Sequence, residues 1–154
     1  VTGDDFGAQN GLLISPRTWR ERLRPGFAEY LALIRAHGAR SMHHTCGSVV
    51  PIIPDMIAAG LDILQSLQPE AAGMALPALL DAYGERVAFH GALSIQNTLP
   101  FGTVEDVHEA VRAIAEAVGD RGGYIYCTAH NIQADTPLAN VLALLEAYRE
   151  FGAR

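Results

Sequence analysis

The chain has 154 residues, 49% of them hydrophobic and only 18% charged, which suits one domain able to bury a sizeable core. A net charge of −6 leaves no basic field to attract a phosphate backbone, so nucleic-acid binding is not expected. No stretch approaches the ~20 continuous apolar residues of a membrane span. No basic segment ahead of an apolar core marks a secretory signal, and two distant cysteines, Cys46 and Cys127, build no disulfide framework. A cytoplasmic location is the resulting expectation. The first residues read as the tail of a strand, so a further N-terminal segment is expected before Val1.

In chain order, Val1–Thr2 ends a strand, and Ser15-Pro16 opens a helix as N-cap and first helical residue. Pro25 is expected to interrupt that helix and restart it, with Phe27, Tyr30, Leu31 and Ile34 as its apolar stripe and Gly38 as its end. Arg40 to Cys46 reads as a strand, and Val49 to Ala59 as a helix with prolines near its start. Leu61 to Leu67 reads as a strand, Met74 to Tyr83 as a helix and Val87 to Gly91 as a strand. Val104 to Val118 is the strongest helix: Thr103 and Asp106 have capping-box spacing, and Val107, Val111, Ile114 and Val118 share a face with Val104. Tyr124 to Thr128 reads as the last strand. Thr136-Pro137 opens the last helix, with Val141, Leu145 and Tyr148 expected on its buried side.

Apolar strands alternating with amphipathic helices imply an α/β fold with a parallel sheet covered by helices. No G-x-G-x-x-G follows a strand, so a nucleotide-binding doubly wound sheet lacks support. Polar residues instead cluster after each strand: Asp4 and Asp5; His43, His44 and Cys46; Gln65 and Gln68; His90, Ser94 and Gln96; Cys127, His130 and Asn131. In a (β/α)8 barrel those strand ends converge on one mouth, where active sites lie. About five strands do not close a barrel of eight, so residues 1–154 read as a single partial TIM-type domain. Its open edges would favour homo-oligomers or other association.

The sharpest chemical signal is Met42-His43-His44-Thr45-Cys46-Gly47. Residues two apart in a strand point to the same side, so His44 and Cys46 would project together into the mouth. Cys127 ends the last strand and could join them. One imidazole and two thiolates would favour zinc with a fourth position open. The residues alone also allow a second reading, with both cysteines as small buried hydrophobes and His44 as a hydrogen-bonded core histidine. Asp5 and His130 could act as general acid or base, or could serve a helix cap and solvent. Gln68, Gln96 and Asn131 could orient a substrate, or satisfy loop backbone. His37 and His108 fall on helix surfaces.

Asp4-Asp5-Phe6-Gly7, Leu13-Ile14-Ser15-Pro16, His44-Thr45-Cys46-Gly47, Gly60-Leu61-Asp62 running to Gln68-Pro69, Gly91-Ala92-Leu93-Ser94-Ile95-Gln96 and Ala129-His130-Asn131-Ile132-Gln133 resemble successive motifs of the uroporphyrinogen decarboxylase superfamily. The resemblance implies the C-terminal half of a TIM-type barrel. It also implies one of two chemistries: metal-free decarboxylation of a porphyrinogen, or zinc-dependent methyl transfer between a corrinoid protein and a thiol-type acceptor. His44, Cys46 and Cys127 fall near the zinc ligands of the methyltransferase-like branch, and the A-H-N-I-Q loop also resembles that branch. Ser94 is a departure, since relatives often carry an Asp there.

Overall fold

Helix formation follows sequence most closely at Val104–Val118. The Thr103 side chain accepts the Asp106 N–H, the Asp106 carboxylate accepts the Thr103 N–H, and Val107, Val111, Ile114 and Val118 are buried. The computed structural model describes residues 1–152. The strands are β1 (Thr2–Gly3), β2 (Gly7–Ala8), β3 (Gly11–Leu12), β4 (Met42–His44), β5 (Ile63–Leu67), β6 (Ala88–Leu93) and β7 (Tyr124–Thr128). The helices are α1 (Pro16–Thr18), α2 (Arg24–Ala36), α3 (Ile53–Ala58), α4 (Leu76–Tyr83), α5 (Thr98–Phe101), α6 (Val104–Val118) and α7 (Leu138–Phe151).

Five strands form one sheet in the order β1-β4-β5-β6-β7, all parallel, with a helical connection between each successive pair. This is the expected α/β architecture, an open sector of a TIM-type barrel. Side-chain alternation splits the sheet into two faces. Leu64 and Phe89 point outward into a core shared with Ile52, Met56, Leu79 and Val111. On the inner face, register lines up His44, Gln65, His90 and Ile125 across four adjacent strands. The carboxyl ends of β1 and β4 to β7 therefore open on one side, as the clustering of polar residues requires.

Three elements, α2, α7 and β4, differ from the sequence expectation, each for a local reason. Pro25 does not interrupt its helix. A π-helical turn, Trp19–Leu23, links α1 to α2, and the Arg24 N–H bonds to the Trp19 carbonyl, so the chain stays helical through the residue that lacks a donor. Thr136 does not cap α7; its N-cap is Pro137, and the Thr136 N–H instead closes a turn onto the Gln133 carbonyl. The buried side of α7 is Asn140, Ala143, Leu144 and Ala147, while Leu145 is exposed and Val141 and Tyr148 are half-buried. That helix is apolar nearly all round, so its pattern does not fix its rotation. The Asn140 amide does, donating to the Leu99 and Gly102 carbonyls at 2.9 and 2.8 Å. The strand expected from Arg40 is confined to Met42–His44, because the Ser41 N–H is taken by the Asp62 carboxylate at 2.8 Å.

Candidate functional site

The site grows from the end of β4, where alternation sends two adjacent histidines to opposite faces. His43 turns outward and is 3% exposed, stacked on Phe6 at 5.3 Å and edge-on to Phe27 at 4.9 Å. Its Nδ1 is 2.8 Å from Thr2 Oγ1, and burial pushes its pKa down to about 4, so it is a neutral packing residue at pH 7. His44 turns inward. Its Nδ1 is 2.7 Å from Gln65 Oε1 and its Nε2 is 3.3 Å from Cys46 Sγ. An amide oxygen can only accept, so Nδ1 carries the ring proton and the Nε2 lone pair faces the thiol.

Three side-chain oxygens fix this arrangement. Besides Gln65, Asp5 Oδ1 accepts the Cys46 N–H at 2.8 Å, and Gln68 Oε1 accepts the Gly47 N–H at 2.6 Å. Gly7 and Gly47 let the two loops interlock. A Cβ on Gly47 would stand 2.6 Å from the Gly7 carbonyl carbon, and Gly47 also has φ +72°. The pairing of the D-F-G and C-G segments is thus a backbone contact. Burial, followed by the Asp5 charge, pushes the Cys46 thiol pKa up, so the free thiol is protonated at neutral pH and donates to His44 Nε2. Asp5 itself is 54% exposed, with Oδ1 3.7 Å from His44 Nε2.

His130 reaches this group from the far side of the sheet. Its ring sits edge-on to His44, with centroids 5.4 Å apart. Ligand atoms of His44, Cys46 and His130 all lie within 4.8 Å of one another, the one set of three or more His, Cys, Asp or Glu side chains so placed among the described residues. Cys127 does not share the set. It lies in β7 opposite Ala92, half-buried, with Thr128 Oγ1 4.0 Å from its sulfur. Gln96 and Asn131 are exposed in the loops after β6 and β7. His90 lies on the inner face below, its Nδ1 buried without a partner and its pKa lowered by burial.

Three residues assigned no role from sequence belong here. Gln65 orients His44. Ser66, 1% exposed, donates its hydroxyl to the Ala129 carbonyl and so ties β5 to the loop carrying His130. Glu70 supplies a carboxylate where Ser94 lacks one: the Ser94 hydroxyl donates to Glu70 Oε1 and accepts the Asn97 N–H at 3.0 Å. The inner-face register of Gln65 could have been inferred from β4–β5 pairing. The other two contacts depend on loop paths.

A parallel barrel sector with a histidine–thiol group at its strand ends has the architecture of a TIM-barrel enzyme site. The family model for uroporphyrinogen decarboxylase (URO-D) matches residues 3–151, and the chain belongs to that enzyme family. Among solved structures it is similar to a methyltransferase from Methanosarcina mazei, at 28% identity and TM-score 0.71, over 92% of this chain. The chain spans 39% of the length of that structure. No curated protein matches. No helix among the described residues is long and apolar enough to cross a membrane.

Proposed function

We propose that this chain supplies the metal and acceptor site of an enzyme that transfers a methyl group between a corrinoid and a thiol-type acceptor. The observation that carries the reading is the 3.3 Å approach of His44 Nε2 and Cys46 Sγ at the carboxyl end of β4. The donor chemistry fits zinc: an imidazole whose second nitrogen is held by an acceptor, a thiol beside it, and a second imidazole within reach. Zinc bound to these side chains would supply the charge that keeps a coordinated thiol deprotonated at neutral pH. The similarity to a methyltransferase supports the reaction class.

The remaining work falls to this chain's residues. Asp5, half-exposed beside His44, is positioned to take the proton that the acceptor thiol loses. The acceptor sulfur then forms the new bond to the methyl carbon, and the electron pair of the old bond stays with the corrinoid, which a partner protein carries. Gln68 holds the Gly47 loop through its oxygen and keeps its NH2 free for the acceptor. Gln96 and Asn131 line the exposed rim where a partner would dock.

The test is zinc per chain by plasma mass spectrometry on the reduced protein, beside Cys46→Ser, with methylcobalamin and simple alkyl thiols as substrates. Bound zinc that is lost in the variant, together with thiol methylation, is the expected result. A zinc-free protein that decarboxylates a porphyrinogen regardless of chelator would put the family's other chemistry in its place.

A further inference from the structure

Zinc at this site needs a third protein donor, and two residues compete for the position. Cys127 is anchored within the sheet, paired with Ala92 and three strand spacings from β4, about 14 Å measured along a flat sheet. His130 lies three residues further on, in a loop drawn back across the mouth. The Ala129 N–H bonds to the Leu93 carbonyl at 2.8 Å, the Ala129 carbonyl accepts the Ser66 hydroxyl, and the Thr128 hydroxyl donates to the His130 carbonyl at 2.6 Å. These contacts pass over β6 and deliver the His130 ring to His44.

We infer that His130, and not Cys127, is the third protein ligand, giving a site of two imidazoles and one thiolate. The inference rests on the proposed metal reading and deepens it. Ligand atoms around a tetrahedral zinc stand about 3.5 Å apart, from bond lengths of roughly 2.0–2.3 Å. His44 and Cys46 already have that spacing, and a set within 4.8 Å closes to it by a small side-chain rotation. The charge also changes. One thiolate leaves a single net positive charge on the zinc site, and an acceptor thiolate neutralises it. A site with two thiolates would become anionic on binding the same acceptor. The His130 set therefore favours anionic sulfur acceptors. Ser66 acts as a positioning residue, because its hydroxyl holds the loop that presents the ring.

The experiment loads this chain with Co2+ and reads the sulfur-to-cobalt absorption band, alongside zinc affinity by chelator competition, in wild type, His130→Ala, His130→Cys and Cys127→Ser. The expected result is a band of one-thiolate intensity in wild type and Cys127→Ser, and a doubled band in His130→Cys. Affinity should be unchanged in Cys127→Ser and at least about a hundredfold weaker in His130→Ala, since even outer-shell losses cost 10–100-fold. Ser66→Ala should weaken binding while leaving one-thiolate intensity. Wild type with a two-thiolate band, or binding lost in Cys127→Ser and kept in His130→Ala, overturns this assignment and leaves the metal reading standing. No metal in wild type overturns both. Circular dichroism melts confirm that each variant is folded.

Discussion

His44 Nδ1 lies 2.7 Å from Oε1 of Gln65, its direct partner in the parallel register between β4 and β5. The sheet therefore sets the tautomer of the histidine: with the proton held on Nδ1, Nε2 is free to bind a cation. Gln65→Leu should remove that control and lower zinc affinity about 10–100-fold, while Gln65→Glu, which restores an acceptor, should keep or raise it. Nitrogen-15 NMR of the metal-free chain should show the His44 proton on Nδ1 in wild type and a tautomer mixture in Gln65→Leu. A single Nε2-protonated form in wild type would overturn the assignment.

Asp5 performs two separable jobs. Its oxygen accepts the Cys46 N–H, and its charge helps to keep the thiol protonated. Asp5→Asn retains an acceptor and removes the charge, so the Cys46 pKa should fall. In a Cys127→Ser background, alkylation of the remaining thiol by iodoacetamide at constant pH should become faster. A rate equal to or slower than that of the parent would show that burial alone sets the thiol.

Much of the fold was legible because local signals agreed with tertiary packing. The capping box and valine stripe of α6 and the β-branched and aromatic run of β7 gave their limits directly. The rotation of α7 was not legible. Leucines lie on most of its sides, and the deciding residue is polar: Asn140 reaches the carbonyls that end α5. The two-residue strands of the β2–β3 hairpin were too short for periodicity to register. At the site, the His44–Cys46 pair could be read from the two-residue repeat of a strand. The arrival of His130 could not, because it depends on Ser66 and Ala129 meeting 63 positions apart in sequence.

Gly47 and Gly26 should respond oppositely to alanine. At Gly47 a Cβ meets the Gly7 backbone at 2.6 Å, and φ is +72°, so Gly47→Ala should destabilise by at least about 1–3 kcal/mol and disorder the Cys46 loop. Gly26 lies within α2 with nothing near the new methyl group, so Gly26→Ala should stabilise by roughly 0.5–1 kcal/mol through helix propensity. Denaturant melts of the two variants beside wild type measure both. Equal effects would mean that the Gly7–Gly47 contact relaxes without cost.

His43 makes the fold sensitive to mild acid. Its ordinary pKa of 6.5 falls to about 4 in the folded chain, mainly because the ring is desolvated between Phe6 and Phe27. Between these two values the unfolded chain binds a proton at this residue and the folded chain does not, so stability rises with pH across the window. Lowering the pH from 6.5 towards 4 should therefore cost the metal-free protein a few kcal/mol at most from this group. His43→Gln should begin less stable, because it gives up both ring contacts. It should also lose less stability over the same interval, since no proton is taken up at position 43. Urea midpoints at pH 7, 6, 5 and 4 for the two proteins measure the difference in slope. Parallel slopes would assign the acid sensitivity to other groups, with His90, half-buried and also lowered by desolvation, next to be tested by the same substitution.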